Sequence, residues 1–261
     1  MNKIILSIIL SPLLFGATLN AKAQSLEFGI RYEPEFSVLM NSNDANASPA
    51  LNYVSHFTYF NFGIGATCNV NKNIGLAVDV LLSREGQNFE GNFNASPYNS
   101  ATYSSVVNKQ IFLNNLDVNG DYAARAELNF IKLPIMLSLS TDNTQPIYFS
   151  FLVGPQINFL YNVAQEVNHT DEDYPNTNIT PIDLYKAVTI DGVVELGAAF
   201  NLSAHMVLSA RLRFDYGFED VENKNVMISY NGDTPTRFYD ANREATHNAT
   251  AGLLVGLNFK L

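Results

Sequence analysis

The residues with most chemical potential in this chain are charges placed at alternate or fourth positions. Asp191 and Glu195 lie four apart, and Arg211, Arg213 and Asp215 lie two apart. Along a strand those spacings put each set on a single face. Pairing the two segments about a turn near Asn201 to Ala204 sets Glu195 opposite Arg211, with Asp191 near Arg213 and Asp215. Charges taken out of water must be paired and hydrogen-bonded. The sequence therefore predicts a structural ion network of Asp191, Glu195, Arg211 and Arg213 inside the fold.

Catalytic and metal-binding patterns are weak beside this. There is no Gly-x-Ser-x-Gly elbow, no His-Glu-x-x-His, no phosphate-cradling glycine loop and no cysteine pair. His56 and His205 fall at strand starts and His169 and His247 in or beside loops, where solvated histidines are expected. His169 with Asp171, Glu172 and Asp173 lacks a defined ligand spacing and reads as a solvated acidic loop. Asp117-Val118-Asn119-Gly120-Asp121 resembles half a calcium loop without its later bidentate Glu, and reads as a turn. No catalytic residue, cofactor or metal is expected, and the chain is not read as an enzyme.

The elements that must hold these charges are strands. From Ala249 to Leu261 the odd positions are all apolar, while the even ones include Thr250, Gly252, Gly256, Asn258 and Lys260. The same alternation recurs upstream. In the first strand, about Leu26 to Leu39, Phe28, Ile30 and Tyr32 oppose Glu27, Gly29, Arg31 and Glu33, and Pro34 breaks the pattern. The second, about His56 to Val70, sets Phe60, Phe62, Ile64, Ala66 and Cys68 against Tyr59, Asn61, Gly63, Gly65 and Thr67. A short turn at Asn71-Lys72-Asn73 pairs it with a third strand, placing Ile64 opposite Val80 and Gly65 opposite Asp79.

A fourth strand spans about Ala123 to Ser140. Its apolar parity slips between Phe130 and Leu133, which predicts a bulge just before Pro134. A fifth runs from Ile147 to Tyr161, a sixth from about Tyr185 to Leu202, and a seventh through Leu208 to Phe218. The intervening stretches Asn41 to Asn52, Asn88 to Tyr122, Asn162 to Asp183 and Glu219 to Ala245 are polar and read as long loops. The second of them has room for a short hairpin near Val106 to Leu113.

Residues 1–23 stand apart from this pattern. Lys3, the apolar run Ile4 to Leu14 and Ala21-Lys22-Ala23 form a secretory signal peptide, with Gln24 the first mature residue. Residues 24–261 are then a single domain. Removing Lys3 and Lys22 takes no acid, and moves the formal charge from −10 to −12. That balance argues against a nucleic-acid partner, whose phosphates demand a basic face. Cys68 is the only cysteine, so no internal disulfide is possible, and its apolar parity reads as a small hydrophobe. Trp is absent, but 18 Phe and 13 Tyr are available for interfacial girdles.

Connections that alternate long and short around eight strands, with both termini at the short-turn end, define an all-β, eight-stranded antiparallel up-and-down barrel. A soluble lipocalin-like barrel binding a small apolar ligand shares that strand count, but hides its apolar face. Here the apolar face is nearly free of charge, while glycines and ionised residues share the other. That favours lipid outside and a tight, plugged polar interior.

Four segments resemble the PorT-like outer-membrane β-barrel family of double-membraned bacteria. They are Leu128-Asn129-Phe130-Ile131-Lys132-Leu133-Pro134-Ile135, Leu152-Val153-Gly154-Pro155, Asp191-Gly192-Val193-Val194-Glu195-Leu196-Gly197-Ala198 and Arg211-Leu212-Arg213-Phe214-Asp215-Tyr216-Gly217-Phe218. They occur in the family's order, and the resemblance covers the mature chain from about Leu26 to the end. Asn129 to Lys132 departs from the family's segment, and Gly192 is adjacent to its Asp where the family leaves a gap. The resemblance implies an outer-membrane barrel, and admits an accessory role in protein export beside a porin-like, structural or surface-interaction role. The expected partners are outer-membrane lipid and envelope or secreted proteins met through the long loops, with the barrel itself a monomer.

Overall fold

The computed structural model describes residues 25–45, 51–92, 121–168, 181–228, 236–237, 239 and 242–261. The signal segment, the hairpin expected near Val106 to Leu113, and His169 with its acidic neighbours lie outside them. Eight strands close into a barrel: β1 (Ser25–Met40), β2 (Leu51–Asn69), β3 (Ile74–Asn92), β4 (Asp121–Ser140), β5 (Ile147–Asn168), β6 (Val188–Ser203), β7 (Met206–Gly217) and β10 (His247–Lys260). Between β7 and β10 a small ribbon pairs β8 (Met227–Ile228) with β9 (Thr236–Arg237). Every neighbouring pair in the barrel is antiparallel, and β10 closes it against β1, with Glu27 opposite Lys260 and Val38 opposite Ala249.

The direction of the alternation decides what solvent the barrel needs. Ile64 is 64 % exposed, Phe149 63 % and Leu253 44 %, whereas Arg213, Lys132, Glu35 and Glu85 are wholly enclosed at 0 %. A barrel in water would carry its apolar half inside. This one presents it outward on all eight strands, as a lipid-embedded barrel does. Inside, the turn end is filled by Tyr148, Ala199 and Val207, with Ala77, Met136, Leu152 and Val193 forming a second apolar cluster. Leu39, Phe89, Leu128 and Phe130 are buried toward the long-loop end.

The register about the first short turn is as expected, with Ile64 opposite Val80 and Gly65 opposite Asp79. Pro34 coincides with the anticipated irregularity, since the β1–β2 register shifts between Glu33 and Glu35. Other details differ. The turn between β6 and β7 sits at Ala204–His205, so Glu195 faces Arg213 and Asp191 faces Gly217, one face-repeat from the expected register. The bulge expected before Pro134 is absent: β4 pairs with β3 without a slip, and its even residues point inward from Ala126 to Ser138.

The apolar parity changes there because Leu128 and Phe130 fill the lumen near the loops, whereas Lys132 lies deeper among charges. The β4–β5 irregularity falls instead between Asn129 and Phe130, where β5 holds the extra residue. Tyr59, expected to face inward, is exposed beside Phe60, because β2 carries extra residues between Ser55 and Phe62. Two side chains serve the β3 backbone that this excursion leaves unpaired. Ser37 Oγ accepts from Gly86 N at 2.8 Å, and Asn61 Oδ1 accepts from Arg84 N at 2.9 Å.

Candidate functional site

The barrel lumen holds the densest chemistry. Inward positions of β1, β3, β6 and β7 supply eight buried carboxylates: Glu27, Glu33, Glu35, Asp79, Glu85, Asp191, Glu195 and Asp215. Arg31, Lys132, Arg211 and Arg213 stand among them. Arg213 is the hub: Nη1 donates to Glu195 Oε1 at 2.7 Å, Nε to Asp215 Oδ1 at 3.0 Å, and Nη2 to Gln156 Oε1. Its Nε is also 3.4 Å from Glu33 Oε1. Arg211 Nε meets the other oxygen of Glu195 at 2.9 Å.

Asp215 passes the network across the barrel, because its Oδ2 accepts from Lys132 Nζ at 2.9 Å. Lys132 comes from β4, on the far wall, and also meets Glu85 and, at 3.5 Å, Glu35. Asn248 extends the chain from β10, donating to Glu85 Oε2 at 2.7 Å and to Asp191 Oδ2 at 3.4 Å. A separate pair, Arg31 Nη2 with Asp79 Oδ1 at 3.2 Å, sits lower and is completed by Arg31 Nη1 donating to Asn258 Oδ1 at 2.6 Å. The Arg31 guanidinium fits because strands on both sides offer glycine. A Cβ on Gly29 would lie 2.9 Å, and one on Gly256 3.2 Å, from Arg31 Nη1, while one on Gly65 would run into Asp79 Oδ1.

Of the four residues expected to form the network, Glu195, Arg211 and Arg213 come together. Asp191 does not pair with a base; it joins through the amide of Asn248. The expected partner exchange explains this: with the register moved one face-repeat, Glu195 reaches both arginines and Asp191 loses them. Sequence reading missed Lys132, Glu35, Glu85 and Gln156 as partners, although inward parity on β1 and β3 already marked Glu33 and Asp79. Their meeting needs the barrel's closure, which pairwise registers do not supply. His56, expected to be solvated, is buried, with Nε2 4.0 Å from Glu127 Oε2. His205 is exposed at its turn, and His247 Nδ1 lies 2.9 Å from Gly217 O.

Above the lumen the connections form a bonded cap. Arg243 grips two loops at once, with Nη1 and Nη2 on the Asp44 carboxylate at 2.8 and 2.9 Å and Nε and Nη2 on Glu222 at 2.7 and 2.8 Å. Tyr239 Oη donates to Leu184 O at 2.7 Å, tying the β7–β10 connection to the β5–β6 one. Burial raises the Asp44 and Glu222 carboxyls above their ordinary range despite the guanidinium between them.

The family model for the outer membrane protein beta-barrel domain matches residues 13–223. The chain belongs to that family. It is an outer-membrane barrel, which agrees with its outward apolar face and enclosed charges. No curated protein sequence matches it. Solved structures similar in fold include the outer membrane protein OprG from Pseudomonas aeruginosa, at 9 % identity over 91 % of this chain and 95 % of that one, TM-score 0.44. Neisserial surface protein A matches at 10 % identity over 90 % and 97 % of the two chains, TM-score 0.40. The outer membrane protease OmpT from Escherichia coli matches at 7 % identity over 94 % and 99 %, TM-score 0.42.

Proposed function

We propose that this outer-membrane barrel is a sealed, non-catalytic structural and surface-interaction protein, exported by the signal segment 1–23 and working as a monomer. The observation that carries the reading is the cross-lumen bond from Lys132 on β4 to Asp215 on β7, with Glu35 of β1 on the same ammonium. An eight-stranded barrel has an interior that side chains fill. Bonds running from wall to wall occupy that interior, and on this reading solute passage is not its task. Recognition falls to the bonded loop cap, whose partners are envelope or secreted proteins. Purified protein in planar bilayers tests the sealing: the barrel gives no conductance steps, and regular ohmic steps from the wild type refute it.

The ordered motifs around Leu133, Gly154, Gly197 and Arg213 favour a second reading, an accessory role in protein export of the PorT-like kind. A deletion strain separates the two. Surface proteins retained in the periplasm support the export role, and unchanged surface display supports the first.

A further inference from the structure

Charge is nearly absent from the outward wall. Among the described side chains, the eight barrel strands carry outward Lys, Arg, Asp or Glu only on β3 and β4: Arg84, Glu90, Arg125 and Glu127. Arg125 and Glu127 pair with each other. Arg84 is exposed and has no ion pair among the described residues, and its guanidinium lies over the Phe60 ring, 5.4 Å from the centroid.

Its height on the barrel is set by the strand. Ile74, Leu76, Val78, Val80 and Leu82 precede it on the outward face of β3, beginning at the short turn. Ten residues at about 3.3 Å each, tilted by about 40°, rise about 25 Å, the height of the apolar band of such barrels. Arg84 therefore stands at the upper rim of the band, on the long-loop side, where outer-leaflet headgroups lie. Asn129 opposite it on β4 marks the same rim.

The extra residues in β2 prepare this spot. They turn Tyr59 outward beside Phe60, with ring centroids 4.4 Å apart, so the ring under the guanidinium is itself backed by a second aromatic. An arginine with no carboxylate partner among the described residues, held against an aromatic ring at a membrane surface, keeps a planar set of donors free for phosphate oxygens. We propose that Arg84, seated on Phe60, binds the phosphate of an anionic outer-leaflet lipid whose acyl chains run down over Phe62 and Leu82. The inference rests on the barrel spanning the membrane with its long loops outward.

The test uses the purified full-length barrel in detergent and native mass spectrometry with lipid A as probe. The wild type retains one lipid A, and retains dephosphorylated lipid A about tenfold less well. Arg84→Gln lowers retention of lipid A to the dephosphorylated level, Arg84→Lys lowers it less, and Arg125→Gln leaves it within about twofold. Equal retention of the two lipids by the wild type, or undiminished binding by Arg84→Gln, overturns the proposal. So does displacement by millimolar inorganic phosphate as effective as displacement by lipid. Heat-modifiable migration is read on every sample. Its absence in the wild type strikes at the membrane barrel itself, whereas its presence with no lipid discrimination strikes only at the Arg84 site.

Discussion

Replacing Lys132 with Met is the sharpest test of the lumen network. The side chains are similar in length, so the change deletes a charge with little change of volume. Lys132 Nζ faces Asp215 at 2.9 Å, Glu35 at 3.5 Å and Glu85, all of them at most 1 % exposed. Removing one partner of a buried ion pair costs about 3–5 kcal/mol, because the remaining charge stays enclosed without compensation. Three carboxylates lose their ammonium here, so the upper half of that range applies. A domain of this size shifts its midpoint by about 2–4 °C per kcal/mol, which gives a fall on the order of 10–15 °C. The assay is the temperature at which the fast-migrating folded band is lost on a cold denaturing gel, supported by circular dichroism in the same detergent. Adding Glu35→Gln and Glu85→Gln to Lys132→Met removes two of the stranded charges and restores most of the loss. A single variant within about 2 °C of the wild type refutes the argument, as does a triple variant no better than the single one.

Three further outcomes follow from other parts of the structure. Gly65→Val pushes a side chain into Asp79 and Arg31, so it lowers the yield of heat-modifiable protein on refolding, while Gly192→Ala, which meets only the ring of Phe218, changes it less. Arg243→Met leaves the buried Asp44 and Glu222 without their shared guanidinium, so trypsin cuts at Lys224 in the variant and spares it in the wild type; equal cutting refutes the clamp. The cap's pH response has a definite sign, because burial raises both carboxyls relative to the unfolded loops. The folded cap then binds protons that the unfolded one does not, so its stability falls as pH rises through the raised range and does not fall on mild acidification. Amide exchange at Val221 and Asn223, corrected for intrinsic rates, is accordingly no faster at pH 5 than at pH 7; faster exchange at pH 5 contradicts the assignment.

How much of this was legible in the sequence depended on the length scale of the signal. Alternation of two was enough to orient Ile64, Leu253 and Arg213, because lipid on one side and a closed lumen on the other impose it on every strand. Local turn chemistry was enough to set Gly65 opposite Asp79, since Asn71 to Asn73 leave little choice of hairpin. It failed two residues downstream of Asn201, where Ser203 and Ala204 are no worse as turn residues than their neighbours and only the β5 pairing fixes the register. The parity slip in β4 was read as a bulge because a sequence shows polarity and not direction. Leu128 and Phe130 point the same way as Lys132, and the lumen itself changes from ionic to apolar along its axis. Lys132 was invisible as a network member because two of its partners, Glu35 and Asp215, lie on β1 and β7, which pair with strands other than β4, and the third, Glu85 on the neighbouring β3, stands four residues from its in-register partner Leu81.

The sealing proposed for the lumen rests on strand number and alternation taken together. Lipid claims the apolar half of each strand, so the interior receives mainly the polar half, and eight strands enclose too little space to hydrate it. Charges confined there must find one another across the barrel, because in-register neighbours supply too few opposite signs: Glu195 faces Arg213, but Asp79 faces Gly65, and Lys132 faces Leu81 and Asn158. Glycines at Gly29, Gly65 and Gly256 clear the room that one guanidinium needs, and the arginine they admit ties its wall to Asp79. In the proposed reading, the bonds that satisfy the buried charges are the same bonds that close the pore. A variant that widened the lumen would have to strand charges first, so conductance and loss of thermal stability should appear together in the Lys132 and Arg213 series and never singly.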